Sequence, residues 1–295
     1  MVSVSTFSSD IGPEEEDGGG WGGLLPEKSE SDRDRVLLGA IRRPVIWSSG
    51  GGVQSTAIAV LILKGLLPRP DYCVMADTGR EKQATWNYMD QIVNPALAKL
   101  RLHIDRVPCS LLERNTFPPS LFNGEGTLLI PAYEKRLPKL TNYCSTHWKR
   151  DVVKRWANDN GLTPAINWLG FSTDEMKRVV TPTALNWLLE YPLIFKCPRS
   201  REGCENEIEQ FGWPTPPKSS CYHCPNMRNP QWRHQRDHAP EEFEQACRDD
   251  EEIRKIKPNV YLHESMVPLR EADLGKDGDD AKQTTFGCNS GDCFV

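Results

Sequence analysis

The chain has 295 residues with a near-globular apolar content, enough for one sizeable α/β domain plus an addition; its net charge is −5, and the first 35 residues, with nine acids and three bases, account for −6 of it, leaving the rest near neutral. No apolar run approaches a membrane span and no basic stretch followed by a hydrophobic core opens the chain, so a soluble, cytoplasmic protein is expected, with no membrane among its partners. Ten cysteines without a secretion signal argue against a disulfide scaffold; in a reducing compartment, clustered cysteines more often mean metal, a cluster or sulfur chemistry.

Residues 1–36 are Ser-, Glu- and Gly-rich and read as a disordered acidic tail. From Arg43 the pattern changes. Val45–Trp47 reads as a short buried strand, Ser48-Ser49-Gly50-Gly51-Gly52-Val53-Gln54-Ser55-Thr56 as a glycine loop bracketed by hydroxyls, and about Thr56–Lys64 as a helix. Three glycines let backbone N–H groups approach an anion, and the helix aims its positive end at the same point. The product is a phosphate or sulfate cradle; the alternative, a Gly/Ser linker, does not explain the flanking strand and helix. No Gly-Lys-Ser/Thr ends the loop, so it is not the P-loop of ordinary NTPases.

Strands at Tyr72–Ala76 and Leu102–Val107 flank a helix from roughly Lys82 to Leu100. This alternation predicts a doubly wound α/β fold with a parallel sheet, with ligands beyond the carboxyl ends of the strands. Asp77 and Thr78 fall at such an end; taken alone, Asp77 equally suits a capping turn. Residues 109–140 form a long irregular segment of the kind that serves as a lid or binding loop. Lys135, Arg136, Lys139, Lys149, Arg150, Lys154 and Arg155 follow, interleaved with Tyr143, His147, Trp148 and Trp156. They read either as a nucleic-acid surface with stacking aromatics or as a solvated helix face. Asn167–Ser172 reads as another core strand and its end, with Asp174 and Glu175 at a helix start.

Cys197, Cys204, Cys221 and Cys224 fall within 28 positions, the last two in a C-x-x-C knuckle followed by Pro225. Two thiolates need at least two further ligands. Two polar helices follow, Pro230–His238 and Pro240–Glu252. Cys288 and Cys293 lie near the end, where they suit sulfur transfer, disulfide resolution, metal binding or no role.

Four segments in order resemble the PAPS reductase-like family of the adenine nucleotide alpha-hydrolase (PP-loop ATP pyrophosphatase) superfamily. They are the glycine loop, Asp77-Thr78-Gly79-Arg80-Glu81 with Thr85, Cys144 with Lys149 five residues on, and Gly170–Arg178. Gln54 stands where the family carries Asp. The resemblance implies a nucleotide domain over 37–195, a Cys-rich helical subdomain over 196–270 and a mobile tail over 271–295. It implies ATP (or PAPS) on Ser48–Gly52, Gln54, Ser55, Thr56, Asp77 and Thr78, with Mg²⁺ on the phosphates. Asp77, Lys149 and Arg178 would be catalytic, Arg178 gripping a phosphate or sulfate. Cys144, Cys204, Cys221 and Cys224 would hold a [4Fe–4S] cluster, with zinc as the alternative and Cys197 as the rival for Cys204. The expected activity is adenylation of a substrate, nucleic acid (tRNA or DNA) among the candidates, with sulfur from a donor such as a cysteine desulfurase; a homo-oligomer would be compatible. The alternatives are a PAPS/APS reductase releasing sulfite and a non-catalytic nucleotide- or nucleic-acid-binding module with structural zinc.

Overall fold

Five short strands form a parallel sheet in this computed structural model, which describes residues 42–109, 117–135, 137, 139–181 and 184–276. They are β1 (Val45–Ser48), β2 (Tyr72–Asp77), β3 (Ile104–Pro108), β5 (Ala165–Leu169) and β6 (Trp187–Glu190), in the order β3-β2-β1-β5-β6. The order reverses direction at β1, and the crevice between β1 and β5 is the position where doubly wound sheets take ligands. Strand β1 pairs Trp47 with Cys73 on one side and with Trp168 on the other, so it is buried from both edges. The expected α/β class with a parallel sheet is what the structure has.

Helix α1 (Val53–Leu63) follows the glycine loop and begins three residues earlier than the sequence pattern predicts. Ser55 and Thr56 therefore lie in its first turns. Its residues from Ala57 to Ile62 are all buried, because it is covered on every side: by the sheet, and by α4 (Arg201–Gln210). A helix apolar all round belongs inside a domain, and burying Ile58 or Leu61 contributes about 1.5–3 kcal/mol each. Lys64 at its end reaches Glu207 on α4 at 2.5 Å, and Arg199 bonds the same carboxylate at 3.0 Å.

Helix α2 (Gln83–Tyr88) runs on through a π turn, Met89–Val93, and a last helical turn, Asn94–Leu97. On the opposite face of the sheet lies α3 (Asp151–Asp159), which buries Val152, Val153 and Ala157 against Ile46, Val74 and Val107. A π turn, Ser145–Arg150, leads into it. Two polar helices, α5 (Asn229–His238) and α6 (Pro240–Ile256), pack on each other near the positions expected. A two-residue ladder joins β4 (Tyr133–Glu134) to β7 (Val260–Tyr261) and ties the 120–140 segment to the end of α6. Strand β6, helix α4 and this ladder carry no predicted element. Strand β6 is four residues long without alternation, and α4 is a polar helix whose buried residues are few. The described residues from Arg43 to Lys276 belong to one compact unit. Among the described residues, no helix is long and apolar enough to cross a membrane. The whole acidic tail expected over residues 1–36 and both Cys288 and Cys293 lie outside the described residues.

Candidate functional site: a pocket between the glycine loop and a thiol wall

The turn after β1 is built by its own short side chains. Ser48 donates its hydroxyl to Asn167 Oδ1 on β5 at 2.7 Å, and Ser49 donates its N–H to the Val74 carbonyl at 2.7 Å. Both serines are therefore anchors of the sheet. Gly51 turns the chain at φ +69°, and a Cβ there would lie 2.6 Å from Thr85 Cγ2, so close approach to α2 requires glycine. Ser55 accepts the Gly50 N–H at 2.8 Å, which closes the loop on itself.

Gly52 then stands at the N-cap of α1 with no side-chain cap, and no acid lies in the first turn. The positive end of this eleven-residue helix is left to an external acceptor. It opens on a pocket with about 840 Å³ of empty space, part of it open to solvent. Gly50, Gly52, Gln54 and Ser55 line one side. Lys149, Cys144, Cys221 and Cys224 line the same pocket, with Ser220 beside them. Ser220 is 5% exposed and its hydroxyl has no hydrogen-bond partner among the described residues, a donor kept for something in the pocket.

The thiol wall is held by the loop after β2. Glu81 pairs backbone-to-backbone with Cys221, and Tyr222 donates its N–H to the Arg80 carbonyl at 2.9 Å. The Glu81 side chain is fully buried, with the Lys149 ammonium 3.7 Å away. Burial raises the Glu81 carboxyl above its usual range, and Lys149 opposes that shift. Burial, then the Glu81 charge, pushes the Cys221 thiol up to about 11, and its sulfur lies 3.4 Å from the Thr78 hydroxyl. Behind the knuckle, buried His223 bonds Asp249 at 2.6 Å, and Arg80 approaches the same carboxylate at 3.9 Å.

Several expected site residues stand elsewhere. Asp77 accepts the Gly79 N–H at 2.8 Å, as a turn residue does, and does not line the pocket. Thr78 is buried behind Cys221, and Thr56 is buried within α1. Arg178 was expected to grip an anion; instead its guanidinium pairs with Glu175 and lies 4.0 Å from the Phe171 ring centre. Cys204 is wholly buried on α4 against α1, where burial pushes its thiol up to about 12, and half-buried Cys197 packs against the same core. The reason is local: Cys204 faces the apolar stripe that α4 lays on α1, with Ile208 one turn on. The four thiols expected to share one centre are thus not brought together. Among the described residues, no group of three or more His, Cys, Asp or Glu is placed to hold a metal ion. The four cysteines expected as ligands, as the described residues place them, therefore do not fit a four-thiolate cluster or zinc centre. The aromatics expected to stack on bases are partly core: Trp148 is 1% exposed and Trp156 packs edge-on to Tyr72.

Some pocket residues carry no expected role in the sequence, Asn142, Asn226, Ser219 and Ser220, while Glu175 was expected only as part of the Gly170–Arg178 segment or at a helix start. Only Glu175 has a readable signal, the Ser172-x-x-Glu175 capping box that the structure contains.

Comparison with known proteins adds one likeness. No protein-family model matches the chain, and no curated protein sequence matches it. Among solved structures, the phosphate complex of phosphoadenylyl-sulfate (PAPS) reductase from Candida auris is similar at a TM-score of 0.39 and 12% identity. The alignment covers 64% of this chain and 83% of that one.

Proposed function

We propose that the chain is an enzyme of the PAPS reductase-like, PP-loop kind. It binds the anionic end of an adenine nucleotide on Gly50–Ser55 and performs chemistry there beside the thiols of the same pocket. The observation that carries this reading is the uncapped, acid-free N-terminus of α1 facing a pocket whose other lining residues include Lys149 and three cysteines. Anions are stabilised at such helix ends by orphan N–H groups and by the dipole. On binding, an anion replaces the Ser55 hydroxyl as acceptor of the Gly50 N–H, and Ser55 turns its own proton to the anion. Lys149 then shares its charge between Glu81 and the ligand. Oxygens that gain charge as a phosphoanhydride or sulfate bond breaks are met by fixed donors, which is where such donors lower a barrier.

The first finer reading is adenylation. An acceptor attacks the α-phosphate of ATP, pyrophosphate leaves, and a sulfur nucleophile later displaces AMP. A nucleic-acid acceptor belongs to this reading, supported by exposed Tyr143, which is tilted against His147 and stands in sequence between the pocket residues Asn142 and Cys144. The second is PAPS or APS reduction, favoured by thiols lining the pocket itself. The test is incubation of the full chain with ATP plus tRNA or DNA, and separately with PAPS or APS plus a dithiol. AMP and pyrophosphate release supports the first reading and sulfite release the second. A chain that neither binds nor turns over any of these nucleotides is not this kind of enzyme.

A further inference from the structure

We infer that the cradle takes its anion without help from a protein-bound divalent cation, and that Gln54 is the residue that sets this specificity. The ligand class is a nucleotide whose phosphate or sulfate is held directly by backbone N–H groups, hydroxyls and an ammonium. This rests on the reading just proposed, that the pocket binds an adenine nucleotide.

The argument is an inventory of carboxylates. Magnesium is bound through one or two protein carboxylates together with substrate phosphates and water, in strict octahedral geometry. Among the described residues lining the pocket, the single carboxylate is Glu175. Both of its oxygens are engaged. Oε1 pairs with Arg178, whose guanidinium is itself held over Phe171. Oε2 accepts from Gln54 Nε2 at 3.2 Å and from the Ser172 N–H at 3.3 Å. A divalent ion at Glu175 would have to displace a cation and two donors together. Of the acids in the surrounding loops, Glu81 is buried with the Lys149 ammonium 3.7 Å away and does not line the pocket, and Asp77 and Asp174 are committed to backbone N–H groups. Asp77 caps Gly79, and Asp174 accepts the Arg201 N–H at 2.5 Å. Among the described residues, the Mg²⁺ implied by the resemblance therefore meets no carboxylate lining this pocket that is not already engaged.

Gln54 decides the matter because of where it sits. It lies in the first turn of α1 and lines the pocket, and its amide is the donor that fastens Glu175 from the cradle side. A carboxylate at the same position would face Glu175 across the same gap. The two like charges would repel, which a divalent ion relieves. The neutral amide instead bonds Glu175 and adds no negative charge to the anion's surroundings.

The experiment is calorimetric titration of the full chain with ATP and with inorganic pyrophosphate, in EDTA and in MgCl₂. Wild type is expected to bind ATP in EDTA within about threefold of its affinity in Mg²⁺, whereas a carboxylate-held metal would separate the two by about tenfold or more. Gln54→Asp is expected to lose about tenfold in EDTA and to regain it in Mg²⁺, a dependence the wild type lacks. Should that variant fail to fold, Glu175→Gln decides the question, because its shape is kept and its charge removed. It should bind ATP in EDTA at least as tightly as wild type. Mg²⁺-dependent wild-type binding that Glu175→Gln abolishes overturns the inference and leaves the nucleotide reading standing. Absence of ATP and pyrophosphate binding in both media overturns both.

Discussion

Cys204 and Cys221 are 17 positions apart and both were expected as ligands of one centre, yet they belong to different regions of the molecule. Cys204 lies between α4 and α1, wholly buried among apolar neighbours. There it is a small hydrophobe, and desolvation makes its thiol a weaker acid. Cys221 is half-buried, its neighbours are the Thr78 hydroxyl, the Glu81 carboxyl and the Lys149 ammonium, and it lines the pocket with Cys144 and Cys224. Spacing along the chain says nothing about which face of a helix a thiol takes. Chemistry is assigned by what a sulfur meets, and only the second region surrounds it with polar groups.

The sharpest way to separate the two regions is to damage one and measure both. Leu61→Ala empties a site on the α1 side and should cost about 2–5 kcal/mol in urea unfolding, with ATP affinity of the folded fraction unchanged. A large loss of affinity at full stability would show that the packed face and the pocket are not separate. Next in size, Gly51→Ala combines a positive φ with a clash against Thr85, and should cost about 1–3 kcal/mol and weaken ATP binding. Gly65→Ala, at φ +70° in open space, should cost about 1 kcal/mol and leave binding alone. Equal effects of the two alanines on binding would mean that the loop's close approach to α2 does not matter. The smallest effect concerns thiol acidity. Cys221, pushed up to about 11, and Cys204, pushed up to about 12, are both protonated at neutral pH and should react slowly with iodoacetamide. Glu81 opposes the Cys221 thiolate, so Glu81→Gln lowers the Cys221 value, and its alkylation at pH 9 should rise by about severalfold while Cys204 stays unchanged. Peptide mapping by mass spectrometry reads both rates at once; a parallel rise at Cys204 would point to general loosening.

Local patterning made the scaffold readable. The run from Ala57 to Leu63, the strand at Tyr72 and the apolar Ile46-Trp47 step identify β1, α1 and β2 within a few residues, because parallel sheets bury both faces and leave near-continuous apolar strands. The strand, glycine loop and helix were readable together for the same reason: they are consecutive. The thiol wall was readable only in part. Lys149 and Cys221 are 72 positions apart and meet through Glu81, whose role depends on a backbone pairing that no spacing announces. Arg178 shows the opposite error. A basic residue after a strand end looks like an anion ligand until Glu175, three residues before it on the same short helical turn, takes the charge.

The pairing of Glu81 with Cys221 also sets an order of manufacture. The ribosome delivers β1, the glycine loop, α1 and Glu81 within the first third of the chain, and Lys149 by its midpoint, whereas Cys221 emerges some 140 residues after Glu81. Until then the nascent chain carries a helix end with no opposite wall and a carboxylate that water still hydrates. The step that completes the site is therefore the same step that dehydrates Glu81, so the sheet can be in place while the pocket is still unfinished.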